Sequence, residues 1–426
     1  MLDIEIIRKD PDGVRQALQK RGEDAPIQEL LELDGQRRQA IFRRDGLRAR
    51  RRELSQRIGR SKGDAPLLVE EVRSIGGQIR SVEEEVRELE AHLRELLLPL
   101  PNLPAEDVPF GHGEEDNVVV RTWGEPREFS FQPLGHWELG RRLDIIDFER
   151  GVKLSGSRFF VLKGAGAHLQ RALIAWMLDL QVDRGYQEVY LPILVRREVM
   201  EGSGNLPKFG DNLYHDDEDD LWLIPTAEVP FTNLHRDEIL PPGALPKRYV
   251  ACTPCFRREK AAAGKDTRGI KRVHQFEKVE MYKFVEPDQS EQELQALVTD
   301  AEEVCQRLGI PYRIAQLCTA ELGFASAKSY DLEMWAPGSG EWLEVSSCSN
   351  CTDFQARRAR VRYRPEAGVR PRYVHTLNGS GLALPRLIIA ILENGQQADG
   401  SVVVPEVLRP YTGFTTIEPT PASGMS

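Results

Sequence analysis

Between Leu68 and Leu96 the apolar residues Leu68, Val72, Ile75, Ile79, Val82, Val86, Leu89, Leu93 and Leu96 follow one another in unbroken alternating steps of four and three. That spacing draws a single stripe along a helix and demands a second helix to cover it, the seam of a coiled coil. The partner lies upstream: the same spacing read backwards from Ile58 gives Leu54, Arg51, Leu47, Arg44, Ala40, Arg37, Leu33 and Leu30, with an arginine at every seventh position. Ser61-Lys62-Gly63-Asp64-Ala65-Pro66 separates the two, and its Gly and Pro end one helix and let the next begin. An antiparallel helical hairpin on the order of 45 Å long is expected, too thin to enclose a globular core.

Charge is segregated along this hairpin. Between residues 35 and 62 there are eleven basic residues against two acidic ones, a balance of +9, whereas the second helix sets eight glutamates against four arginines, a balance of -4. Pairing between the helices absorbs part of this, and the remaining +5 points to a polyanion partner. The chain as a whole carries -10, so such a surface is local.

With 426 residues the chain exceeds a usual single domain, and the division expected is 1–100 for the helical arm, 101–126 for a linker rich in Pro, Gly and acids, and 127–426 for the main domain. The last mixes helical patterns with short alternating strands in irregular order, which predicts an α+β fold around a largely antiparallel sheet. Expected elements include a helix from Ala167 to Asp183, a strand from Glu188 to Leu191, a strand from Glu341 to Ser347, a glycine-broken turn at Asn378-Gly379-Ser380-Gly381, and an apolar helix from Leu384 to Leu392. Neither a P-loop nor a GxGxxG fingerprint is present. The N-terminus lacks a basic start followed by an apolar run, no window approaches eighteen apolar residues, and six cysteines are too sparse for a disulfide scaffold. A cytoplasmic enzyme without membrane association is the expectation.

The chemistry is densest in CFRREKAAAGKDTRGIKRVHQFEKVE, residues 255–280. Side chains two apart on a strand share a face, so Phe276, Lys278 and Glu280 point one way, and Arg257 and Glu259 share a face on the strand before. A planar guanidinium suits phosphate oxygens, an aromatic face suits a purine, and a carboxylate suits an ammonium group. Glu344-Val345-Ser346-Ser347 offers an acid and hydroxyls for Mg²⁺ with phosphate. Arg386 opens an apolar helix. Cys252-x-x-Cys255 and Cys348-x-x-Cys351 form two CxxC pairs, but 92 residues separate them where zinc ribbons leave roughly 15 to 20, so zinc is not expected and buried thiols are.

The stretches GYQEVYLPILVRREVMEGSGNLPKF, TAEVP, FRREKAAAGKDTRGIKRVHQFEKVEMYKF, EWLEVSSCSNCTDFQARR and TLNGSGLALPRLIIAILENGQ resemble the sequence motifs of class II aminoacyl-tRNA synthetases, and more narrowly of bacterial-type seryl-tRNA synthetases. The paired-helix arm extends that resemblance over essentially the whole chain. It implies a serine–tRNA ligase that uses ATP and Mg²⁺ to form seryl-adenylate and passes serine to the 3′ end of serine tRNA, working as a homodimer, and leaves open whether selenocysteine tRNA is a second acceptor. By motif position, Arg257, Arg258, Glu259, Val273, Phe276, Glu344, Val345, Ser346, Ser347 and Arg386 would bind ATP. Arg257 and Arg386 would act on its phosphates, and Glu344 and Ser347 would hold the metal. Thr226, Ala227, Glu228, Arg257, Glu280 and Ser380 would bind serine. Arg37, Arg44, Arg48, Arg51 and Arg52 would meet the tRNA. Thr352 and Pro385 stand where the family often has glycine, and the tail YTGFTTIEP is unusual. Two other readings are an amino-acid-activating paralogue that loads a carrier protein, and a coiled-coil adaptor built on an inactive nucleotide fold.

Overall fold

A computed structural model describes residues 1–60, 65–260 and 268–419, and its chain divides into two compact units, Met1–Pro101 and Asn102–Ser426. Most of the expected interhelical turn, residues 61–64, lies outside the described residues, as does the 261–267 part of the loop between Arg257 and Phe276.

The first unit begins with two short helices, Ile4–Lys9 and Pro11–Gln19, each started by an aspartate that accepts a backbone N–H: Asp3 from Glu5 and Asp10 from Gly13, both at 2.9 Å. Then come the long helices Ile27–Arg60 and Ala65–Leu97, of 34 and 33 residues, about 50 Å each. They run antiparallel, because ion pairs join Arg37 to Glu90, Arg43 to Glu85, Arg48 to Glu83 and Arg50 to Glu71. The expected seam is the covered one: Leu30, Leu33, Ala40 and Leu54 face Ile75, Ile79, Val86 and Leu93, all buried. The seam arginines behave differently from one another. Arg37 and Arg44 are half-buried, with Arg37 also held by Asp34 at 2.9 Å, while Arg51 turns outward.

The second unit is organised by an eight-stranded sheet in the order Val118–Trp123, Tyr312–Gln316, Lys328–Ala336, Glu341–Asn350, His375–Ala383, Gln275–Val285, Lys247–Phe256, Gln187–Glu188. Every neighbouring pair is antiparallel except the last, where Gln187–Glu188 runs parallel to Lys247–Phe256. The α+β expectation is the observed fold. The 101–126 stretch differs from the free linker expected, since Val118–Trp123 closes one edge of the sheet and Asn102 donates to the carbonyls of Ala325 and Cys351, both at 2.9 Å. Its proline and acid content fits a stretch without an α-helix, where the structure has one 3-10 turn at Glu114–Asp116, but it concealed an exposed edge strand.

Strand 275–285 is covered on both sides. Its odd positions Val279, Met281 and Val285 enter the main core with Leu173 and Met177 of helix Gly164–Asp183, Leu297 of Ser290–Leu308 and Leu387 of Leu384–Gly395. Its even positions Tyr282 and Phe284 pack with Phe231, Tyr249 and Ala251. The even face thus runs from a closed core toward Glu280, Lys278 and Phe276.

Two local expectations change. Asn378-Gly379-Ser380-Gly381 is not a turn but the middle of strand His375–Ala383. A Cβ on Gly379 would stand 3.0 Å from Leu297 Cγ and 3.1 Å from Cys348 Sγ, so glycine serves close packing of strand on helix. Arg257 and Glu259 are not on a strand, which ends at Phe256, and Glu259 has φ +50°. The two unusual residues are accommodated. Thr352 takes the left-handed conformation, φ +49°, that favours glycine, and is steadied by Thr352 N–H donating to Asn350 at 2.9 Å and its hydroxyl donating to the Cys351 carbonyl at 2.7 Å. Pro385 lies in the first turn of its helix, where its missing N–H and fixed φ cost nothing.

Candidate active site

Two cavities meet over the sheet. The first, about 110 Å³, is lined by Arg257, Glu259, Val273, Phe276, Glu344 and Arg386, among others; the second, about 270 Å³, by Thr226, Glu228, Glu280 and Ser347, among others. Arg257, Lys278, Glu344 and Ser380 line both, and so form the wall between them.

Sheet register explains the convergence. Glu280 is opposite Ala251 on one neighbour and Ser380 on the other, while Lys278 is opposite Thr253 and Ala383. Strand 375–383 in turn pairs with 341–350, which brings Glu344 and Ser347 alongside.

In the first cavity the Arg257 guanidinium lies 5.1 Å from the Phe276 ring centroid and its Nε donates to the Pro225 carbonyl at 3.2 Å. One arginine edge is therefore fixed by backbone and the rest is left to face a ligand. Arg386 Nη1 donates to the Glu344 carbonyl at 2.6 Å and lies 3.3 Å from its carboxylate, and Arg386 is the leading reason that carboxylate is held below its usual range. Val273 and Val345 supply apolar wall. His274, between the strands, pairs Nδ1 with the Arg257 carbonyl at 2.8 Å.

The second cavity is acidic. Thr226 donates to Glu280 Oε2 at 2.9 Å. Burial, followed by the charge of Glu280, pushes the Glu228 carboxyl up to about 7. Gln355 donates to Glu228 Oε1 at 2.6 Å, and Gln355 is itself oriented by Tyr282 and Thr376 donating to its Oε1 at 3.0 and 2.7 Å.

Three expected residues stand apart from these walls. Arg258 donates to the Leu213 carbonyl at 2.8 Å and stacks over Tyr214 at 4.5 Å. Ala227 is wholly buried in the core beside Phe231. Ser346 is buried on the opposite face of its strand from Ser347, with its hydroxyl donating to the Ser380 carbonyl at 2.5 Å. These three support neighbouring groups rather than offering side chains to a cavity.

Asp331, opposite Ser347 across the strands, adds to the set. Ser347 hydrogen-bonds it, burial and then Glu344 raise its carboxyl well above the ordinary range, and its Oδ1 is buried without a hydrogen-bond partner among the described residues. Glu344, Ser347 and the orphaned Asp331 oxygen are the hard oxygen donors that suit Mg²⁺. The CxxC cysteines are engaged separately. Cys252 faces Glu277, Cys255 faces Thr253, Cys348 faces Ser346, and Cys351 accepts from Asn378. Lys278 was signalled by alternation with Phe276 and Glu280, whereas Gln355, 127 positions from Glu228, carried no sequence signal.

Of the five arm arginines, Arg37, Arg44 and Arg48 are in ion pairs with acids of the arm, whereas Arg51 and Arg52, together with Arg57, are exposed and make no ion pair among the described residues.

Comparison with known proteins agrees with both units. Residues 1–104 match the seryl-tRNA synthetase N-terminal domain, and residues 211–395 match the tRNA synthetase class II core domain (G, H, P, S and T). The chain is 62% identical over 416 residues to the serine–tRNA ligase of Thermomicrobium roseum, covering 97% of this chain and 94% of that one. It is 59% identical to that of a Roseiflexus species, with coverages of 97% and 98%. A crystal structure of seryl-tRNA synthetase from Pyrococcus horikoshii complexed with ATP superposes with a TM-score of 0.90 at 41% identity, covering 99% of this chain and all of that one. With matches over nearly the full length in sequence and in fold, and with family models for both units, the chain belongs to the seryl-tRNA synthetase family of class II aminoacyl-tRNA synthetases.

Proposed function

We propose that this chain joins serine to ATP across the wall shared by the two cavities and then transfers serine to the 3′ end of serine tRNA. The observation that carries this reading is that one wall, built from Arg257, Lys278, Glu344 and Ser380, serves both a cavity suited to a nucleotide and an acidic one suited to a small ammonium compound. Relatives matching over nearly the full length are serine–tRNA ligases, which leaves the carrier-loading and adaptor readings without support. Exchange of labelled pyrophosphate into ATP, tested with each amino acid in turn, should respond to serine, and charging of serine tRNA should follow. Exchange with another amino acid alone would overturn the assignment.

The chemistry asks little proton transfer of the protein. The serine carboxylate already carries its charge when it attacks the α-phosphorus, the bond to the bridging oxygen breaks, and pyrophosphate leaves with the electron pair. What remains is alignment and neutralisation of redistributed phosphate charge, tasks that fall to Arg257 and Arg386. Glu344 and Ser347, with Asp331 beside them, would hold Mg²⁺, which when bound neutralises phosphate charge. Phe276 and Val273 would flank adenine. Thr226, Glu228, Glu280 and Ser380 would take the ammonium and hydroxyl of serine, and unpaired burial of those groups would penalise alanine.

Glu228 gives this reading a pH signature. Its carboxyl is raised from 4.5 to about 7 in the empty pocket, so it holds a proton below pH 7 and must lose it to pair with an ammonium group. Serine affinity is therefore expected to rise about tenfold from pH 6 to pH 8, with proton release on binding near neutrality. Isothermal titration in buffers of different ionisation enthalpy measures both. Glu228→Gln should flatten the profile, and an unchanged slope in that variant would assign the dependence elsewhere. The same shift makes the empty pocket lose stability as pH rises from about 4.5 to about 7, because the folded state holds the proton more tightly than the unfolded one.

A homodimer and a cytoplasmic location complete the proposal. Strand Gln187–Glu188 ends the sheet and is followed by Tyr190, whose side chain is 98% exposed, an edge prepared for a partner. Among the described residues no helix is long and apolar enough to cross a membrane. Tyr190→Asp is expected to weaken self-association by about a hundredfold, read as a shift from dimer to monomer in sedimentation at micromolar concentration. An unaltered profile would move the interface elsewhere.

A further inference from the structure

Lys278 is the one member of the shared wall with no role in the reaction as derived so far. It is 7% exposed, lies between Phe276 and Glu280 on the even face of strand 275–285, and borders both cavities. Its ammonium is ion-paired with Glu280 Oε2, the same oxygen that accepts the Thr226 hydroxyl. A buried lysine with its charge committed to a buried carboxylate is costly to maintain, and removing the partner leaves it uncompensated. The carboxylate it occupies is one that the proposed function gives to serine.

Serine carries both charges that this pair can exchange. Its ammonium competes with Lys278 for Glu280, and its carboxylate offers Lys278 a replacement at the wall facing the nucleotide cavity, beside Arg257. We propose that Lys278 is a substrate-contacting switch. With the pocket empty it neutralises Glu280. When an ammonium group takes Glu280, Lys278 is released toward the shared wall, where its charge draws the serine carboxylate and the α-phosphate of ATP together. Two anions must approach there to form the new bond, and Arg257, among the described residues the only other cation lining both cavities, would balance only one of them at the shared wall. The inference rests on the proposed serine and ATP sites, and it adds a consequence they do not carry by themselves: the ammonium group of serine strengthens ATP binding.

The test uses the full chain. In the wild-type protein, serine should lower the Kd of ATP about tenfold or more, within the usual span of coupling between sites. Serinol, which has the ammonium and hydroxyl but no carboxylate, should retain most of that effect, and glycerate, which has no ammonium, should show none. Glycerate matching serine, or serinol without effect, overturns the switch. Lys278→Met should abolish the coupling and lower kcat for exchange about a hundredfold, and Lys278→Arg should restore part of the coupling. A Lys278→Met protein with intact coupling and wild-type kcat makes the lysine structural. If the variant does not fold, the wild-type comparison of serine, serinol and glycerate still decides. Absence of serine-dependent exchange in the wild type would instead reject the function itself, so the two failures are distinguishable.

Discussion

Replacing Arg257 by alanine is expected to reduce serine-dependent pyrophosphate exchange by about 10³-fold or more in kcat/KM, with little change in Tm. Arg257 borders the nucleotide cavity, the acidic cavity and the wider cleft beside them. Its Nε is fixed on the Pro225 carbonyl and its plane lies over Phe276, so its remaining N–H groups are already aimed before any ligand arrives. Preorganised charge of this kind carries large fractions of phosphoryl-transfer rates, and single donors are worth about 10² to 10³. Arg257→Lys keeps the charge but loses the fork that reaches carbonyl and phosphate together, and a loss of about 10² is expected there. Exchange by Arg257→Ala within tenfold of wild type would remove this residue from the reaction. Its half-buried position, away from the apolar core, is why Tm should hold.

Removing residues 30–98 should have the opposite selectivity: tRNA charging lost by more than about 10³-fold and serine-dependent exchange retained. The side chains proposed to bind ATP and serine all belong to the Asn102–Ser426 unit, whose cavities use no residue of the arm. The arm contributes surface charge. Its ion pairs consume Arg37, Arg43, Arg48 and Arg50, and among the described residues of the first long helix Arg51, Arg52 and Arg57 are exposed without an ion pair and are the cations proposed to meet RNA phosphates. Reversing those three to glutamate in the full chain should raise KM for tRNA by at least about tenfold and flatten its salt dependence. Equal loss of exchange and charging in the deletion would reject this separation of tasks.

The arm was legible because a heptad pattern reports which residues face a partner helix without any knowledge of what else folds. The same periodicity overestimated Arg51, which was assigned to the seam and turns outward, because a guanidinium gains more from water than from Leu54 and Ile58 beside it. Alternation along strand 275–285 likewise puts Phe276, Lys278 and Glu280 on one face, and the cavities follow that face. Where local signals misled, tertiary packing had overridden them. Glycines at 379 and 381 read as a turn, yet the narrow gap between Leu297 and Cys348 requires glycine in a central strand. Proline and acids before residue 126 read as free chain, yet Val118–Trp123 pairs with Tyr312–Gln316 at the sheet edge.

Sequence by itself determined the helical hairpin and the antiparallel α+β class and singled out the groups proposed to meet phosphate, purine and ammonium, since each depends on residue type and on spacing within one element. Only the tertiary structure decided which of those groups share a wall, that Gln355 orients Glu228, that Asp331 joins Glu344 and Ser347, and that Lys278 is held by Glu280. The reason is physical. Strand register and desolvation bring together residues tens to hundreds of positions apart, and no local pattern encodes how strongly burial will make one charge depend on another.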